Sequence, residues 1–164
     1  MKKILLSVFL LFFLVLIQTS FLVHFDISGV NLNLVLIAVV LVNFFERPWR
    51  KRGLVVAAIG GFYLDLFSDF RIGVSVLTLF ILALLIKRIL RSLKEENILY
   101  FIPLFILIFI LYGFLLILFG SIAGLTLPSA LCFNKLKVLE LAYNLAGGTF
   151  GFYLVKLCLK VLRR

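Results

Sequence analysis

Six solid apolar runs, most of them near the ~20 residues that cross a hydrocarbon core about 30 Å thick, alternate along this chain with short clusters of Lys and Arg. Runs of that kind leave the backbone one economical conformation in lipid. A helix satisfies its own N–H and C=O groups, whereas strands need a closed barrel and alternating faces that these runs lack. The chain has 164 residues, 65% of them hydrophobic and 15% charged. Soluble domains are about 45–50% apolar, so a domain of this length has too little interior to hide the excess. The expected fold is an all-α polytopic membrane protein, a single membrane domain spanning 1–164.

Helices are expected at about 4–23, 30–46, 53–68, 72–90, 98–120 and 138–162. Lys2 and Lys3 precede the first run. A cleaved signal peptide would show small residues after its apolar stretch. Gln18, Thr19, Ser20 and Phe21 stand there instead, so the first helix is expected to be retained. The second run stops at Arg47-Pro48-Trp49-Arg50-Lys51-Arg52, where proline and the charges end a helix and Trp suits an interface. Asp69-Phe70-Arg71 forms a polar turn after the third run, and Lys87, Arg88, Arg91, Lys94, Glu95 and Glu96 form a charged loop after the fourth. A mixed segment, 121–137, holds Pro128 and Cys132 before the last helix, which fades into Lys160, Arg163 and Arg164.

The formal net charge of +10 suggests nucleic acid only until the charges are placed. They flank apolar runs and form no basic surface with interleaved aromatics, which excludes a nucleic-acid partner. The 19 Phe residues are likewise spread through the runs as packing and lipid-facing side chains. With the N-terminus inside and six helices alternating, 14 of the 17 Lys and Arg fall on the cytoplasmic side, and Arg71, Lys135 and Lys137 fall outside. That bias predicts both ends in the cytoplasm.

Asp65 is the most informative side chain, because a carboxylate in an apolar helix is costly and needs a partner. It is read as a structural acid bonded to Ser68, to a neighbouring helix or to Arg71. Partner recognition, or handling of a proton or substrate, are the alternatives. Asp69, four residues on, shares its helical face, but no cleft or substrate contact can be argued for acid–base work. Glu46 reads as an interface residue beside Arg47, and Glu140 as favourable to the dipole at the start of the last helix. His24 and Asp26 are too few ligands for zinc or iron. Cys132 and Cys158 fall on opposite sides of the membrane, so no disulfide joins them. Small residues gather at Ala57, Ala58, Gly60 and Gly61, and again at Ala146, Gly147, Gly148 and Gly151. The four-residue spacing of Gly147 and Gly151 allows close approach of two backbones, within the chain or to a partner's transmembrane helix. Nucleotide-binding, hydrolase and metalloprotease motifs are all missing, which argues for a chain that is no enzyme and holds no cofactor.

Taken in order, several residues resemble the MreD family, the rod shape-determining membrane proteins of bacteria. These are Gln18-Thr19-Ser20 closing helix one, Asn33-Leu34 opening helix two, and Tyr143-Asn144 in the last helix. The strongest is the glycine-dotted segment from Gly53 through Gly60-Gly61-Phe62-Tyr63-Leu64-Asp65-Leu66-Phe67-Ser68, followed by Ile72-Gly73. The family typically reads Gly-Phe-x-x-Asp-Leu-x-Ser here, then a turn and Leu-Gly. Two positions depart from it: Leu32-Asn33 stands where Pro-Asp is common, exchanging a charged helix cap for a neutral one, and Asp69-Phe70 stands where a small residue and proline are common.

The resemblance implies a non-enzymatic subunit of the elongasome, the machinery of lateral peptidoglycan synthesis, in the bacterial cytoplasmic membrane. It implies a transmembrane contact with MreC, and indirect ones with MreB, RodA and its penicillin-binding transpeptidase. It further implies a fold similar to the S components of energy-coupling factor transporters. Gly60, Gly61, Asp65 and Ser68, with Gly147 and Gly151 from the spacing argument, are the candidates for structure or partner contact. The competing expectation is a vitamin-binding S component or another small transporter. That class docks its coupling subunit through small residues on helix one, and helix one here has no Gly or Ala.

Overall fold

The computed structural model describes residues 2–21, 32–67, 72–91, 97–124 and 135–162, with the side chains of 2–6, 135 and 162 left aside. Every regular element among them is helical. The helices are α1 (Lys2–Leu16), which runs on into a π-helical turn at Ile17–Phe21, α2 (Leu34–Phe45), α3 (Arg52–Phe67), α4 (Val74–Leu90), α5 (Ile98–Ile122) and α6 (Lys135–Leu162). All six expected helices are present. In the π-helical turn, Thr19 donates its hydroxyl to the Val15 carbonyl at 2.9 Å, the kind of back-bond that bends helices.

Local chemistry moved several boundaries. The second helix, expected from 30, begins at Leu34 because the Asn33 side chain caps it, accepting the Leu36 N–H at 2.9 Å. The fourth begins two residues late, at Val74, because Gly73 takes a left-handed conformation (φ 110°). The fifth runs on to Ile122 and closes on Gly124, whose positive φ suits glycine just past a helix end. The sixth starts at Lys135 instead of 138.

The short α2 is the axis of the bundle. It contacts α1, α3, α4 and α6, and eight of its 12 residues are buried, from Val35 to Phe44. A helix apolar all round belongs in such a position. The remaining helices pack around it, α3 against α4 in a hairpin, α1 against α3, and α5 between α4 and α6. Phenylalanines expected to be dispersed come together where α2, α5 and α6 meet. Phe44 lies edge-on to Phe101 with centroids 5.3 Å apart, and Phe101 is 5.1 Å from Phe152. Aromatic pairs at that separation add roughly 0.5–1.5 kcal/mol each beyond their buried area.

The outer surface is apolar as well. Phe9, Phe13, Phe114, Phe150, Tyr153 and Leu157 all project from α1, α5 and α6 with more than half of their surface exposed. Among the described residues, α5 is the one helix both long and apolar enough to cross a membrane by length and composition, and only 33% of its most apolar window is buried. That share is low for the core helix of a water-soluble protein.

Candidate functional site

The head of α4 is built by α3. The first N–H groups of any helix lack intrahelical acceptors, and here a side chain from the neighbouring helix supplies them. Asp65, 3% exposed, accepts the Gly73 N–H at 2.7 Å and the Ser75 N–H at 2.9 Å, with the Val76 N–H at 3.4 Å. A carboxylate there also meets the positive end of the α4 dipole. Gly61, one turn earlier on α3, makes the approach possible. A methyl group at that position would stand 2.5 Å from Val76 Cα and 2.7 Å from the Ser75 carbonyl oxygen. Gly61, Asp65 and Gly73 therefore act as one device. The first removes side-chain bulk, the second caps, and the third turns the chain so that its amide points at the cap.

Asp65 is thus a structural acid bonded to a neighbouring helix, one of the three partners expected for it. Ser68, Asp69 and Arg71 lie outside the described residues, as do His24, Asp26, Cys132 and most of the 121–137 segment. The other glycines of these two clusters face the chain's own side chains. A methyl on Gly60 would meet Val35 of α2 at 3.0 Å, and one on Gly151 would meet Leu41 of α2 at 2.7 Å. Gly147 faces Leu32 and Ile37 at 3.0 and 3.1 Å. The four-residue spacing of Gly147 and Gly151 serves close packing of α6 on α2.

A second polar cluster lies at the opposite end of the bundle. Glu46 and Lys87 form an ion pair at 2.8 Å with side chains only 8% and 6% exposed. Lys87 donates also to the Arg50 carbonyl, and Glu46 accepts the Gly53 N–H, at the start of α3, at 2.6 Å. Asn43 donates to the Val39 and Gly53 carbonyls at 2.8 and 3.2 Å, and Arg52 donates to the Ser7 hydroxyl. Neither the interface position read for Glu46 beside Arg47 nor the helix expected at 72–90 foresees this pairing. Glu46 leaves α2 in extended conformation, its side chain pairs inward across 41 residues, and Lys87 belongs to the last turn of α4. Asn43 was the overlooked signal, a polar residue set in a solid apolar run as conspicuously as Asp65. The Glu46–Lys87 pairing has no local spacing to betray it, although the alternation of six helices puts both at one end.

A third cluster ties the far end of α2 to its neighbours. Asn144, fully buried, accepts the Asn33 N–H at 2.8 Å and donates to the Glu140 carbonyl. Asn33 donates to the Tyr112 hydroxyl at 3.1 Å, and Gln18 accepts the Val35 N–H at 3.3 Å. Glu140 pairs with Lys137 one turn before it.

Chemically, these clusters fasten helices. Each buried acid is held by donors of the chain itself, and among the described residues no three His, Cys, Asp or Glu side chains gather where they would hold a metal ion. The class they define is a six-helix bundle, five helices packed around the short α2, fastened by helix caps at one end and an ion pair at the other. No family model, curated protein or solved structure matches the chain.

Proposed function

We propose that this chain is a multi-pass protein of the bacterial cytoplasmic membrane with both ends in the cytoplasm. Within that membrane it is a non-enzymatic subunit of the cell-elongation machinery that binds MreC. The apolar outer surface supports the membrane setting, since water-facing surfaces rarely carry contiguous apolar patches of such extent. So does the 14-to-3 division of cationic residues. At about 1.5 Å per residue, the 25 residues of α5 exceed the hydrocarbon thickness.

The observation that carries the functional reading is the use made of the Gly-Phe-x-x-Asp segment. The acid that resembles the MreD pattern is spent on capping α4, which suits a rigid scaffold better than an acid reserved for a proton or a substrate. Because Gly60, Gly61, Gly147 and Gly151 are occupied within the chain, the MreC helix would meet an outer face. The groove of about 230 Å³ between α5 and α6, walled by Phe109, Phe114 and Leu141 and open at Gly113, offers such a face.

The test is co-purification of the tagged chain from native membranes in mild detergent, with mass spectrometry of its companions. MreC at near-equal amounts, reduced by Gly113→Phe at unchanged helix content, is the expected result. Recovery of an ATPase-coupled transporter subunit or a bound vitamin without MreC would replace this reading by that of an S component.

A further inference from the structure

We propose that the groove around Trp49, at the Glu46–Lys87 end of the bundle, binds a phosphate-bearing anion, supplied by an anionic lipid headgroup or by a soluble phosphate ester. The groove, of about 420 Å³, lies between the 46–51 loop and the last turns of α4. Arg50, Lys51, Lys87, Arg88 and Arg91 line it, and no acidic residue does so among the described residues. Glu46, the acid nearest in sequence, is turned away to Lys87 and the Gly53 N–H, and Glu95 and Glu96, which follow Arg91, lie outside that description.

Among the described residues, one of these cations has a carboxylate partner. Lys87 is paired with Glu46 beneath the groove, while the exposed side chains of Arg50, Lys51 and Arg88 have no hydrogen-bond or ion-pair partner among the described residues. Arg91 is held differently, with its guanidinium carbon 4.7 Å from the centroid of the Trp49 ring. A cation–π contact fixes a guanidinium without using its N–H donors, which leaves them to a phosphate oxygen. The negative end of the α4 dipole accounts for Arg88 on its last turn. It does not account for Arg50 and Lys51, which the loop turns into the same space and which the Lys87 bond to the Arg50 carbonyl holds there. Converging like charges repel unless an anion sits among them. Leu54 and Leu84 complete the walls, so the groove passes from a cationic rim to an apolar side, a shape suited to a headgroup with its first methylenes.

The lipid source rests on the membrane reading above, and the phosphate chemistry does not. Trp49 is the single tryptophan, so its emission reports this groove alone. The full chain in detergent micelles would be titrated with chain-brominated phosphatidylglycerol, with brominated phosphatidylcholine, and in lipid-free micelles with glycerol phosphate. Saturable quenching by phosphatidylglycerol at about fivefold lower concentration than by phosphatidylcholine is expected. That preference should vanish in Lys51→Gln/Arg88→Gln, which leaves the Trp49–Arg91 contact in place, and persist in Lys160→Gln. A saturable response to glycerol phosphate alone assigns the soluble source, and its absence beside the lipid preference assigns the headgroup. Equal quenching by both lipids without a response to glycerol phosphate overturns the site, as does equal weakening by Lys160→Gln, with circular dichroism showing all variants folded. If carbonate washing released the chain from membranes, the membrane reading would fail while the glycerol phosphate titration still judged the groove.

Discussion

Asp65 and Glu46 illustrate two ways in which an acid is accommodated in an apolar chain. Asp65 meets backbone donors only, and its two oxygens accept N–H groups from both sides of the α4 start. Asp65→Asn removes the charge and turns an NH2 group toward N–H donors, so at least one buried amide loses its acceptor. The expected loss is about 2 kcal/mol, read as a lower midpoint of thermal unfolding in detergent followed by circular dichroism. Asp65→Glu should not restore it, because the added methylene displaces the carboxylate from a cap with Gly61 packed one turn away. Glu46 meets a true ion partner. Removing either member alone by Glu46→Gln or Lys87→Met leaves a buried charge unpaired, at a cost of roughly 3–5 kcal/mol. The double variant should lose much less than the sum of the two, and a double-mutant cycle on the same melting curves checks this. Additive losses would mean that the pair contributes nothing as a pair.

At the scale of elements, the α3–α4 hairpin is the most extensive helix contact, and Gly61 governs it. A single methyl there meets backbone atoms, which yield less readily than side chains, so Gly61→Ala should destabilise by about 1–3 kcal/mol. Gly113→Ala, where a methyl meets nothing within 4 Å, should be close to neutral in the same denaturation assay. The existence and order of the six helices were legible from the apolar runs, because length and charge alone delimit them. The ends were less so, since they are decided by single side-chain bonds such as Asn33 to the Leu36 N–H and by the left-handed Gly73. Glycine spacing marked Gly60, Gly61, Gly147 and Gly151 as close-approach points. It carries no record of what approaches, and only the fold pairs Gly61 with α4 and Gly151 with α2. The Glu46–Lys87 pairing was illegible for a related reason. Local sequence describes neighbours along a helix, and this pair is joined across the bundle.

For the whole molecule, the alternation of the helices couples architecture to charge. The two ends of the bundle differ in kind. One gathers Arg50, Lys51, Arg52, Lys87, Arg88 and Arg91 around the Glu46–Lys87 pair, and the other is closed by caps, Asp65 on α4 and Asn33 on α2. In a bilayer that asymmetry has one favourable orientation, with the cationic end toward the cytoplasm, where anionic lipids and the retention of Lys and Arg act together. Cysteine scanning in intact cells tests this directly. In a background with Cys132→Ser and Cys158→Ser, a membrane-impermeant maleimide should label His24→Cys strongly. Arg47→Cys and Arg88→Cys should be labelled only after the cells are opened. Reporter domains at either end should both be active in the cytoplasm. Labelling of Arg47→Cys from outside, or opposite sides for the two ends, would break the six-crossing arrangement. If the two ends lie on opposite sides while positions 24, 47 and 88 share one side, α5 alone crosses, and the apolar faces of α1 and α6 would have to be covered by protein instead of lipid. The same scan therefore also separates a bundle standing in the bilayer from one anchored to it by a single helix.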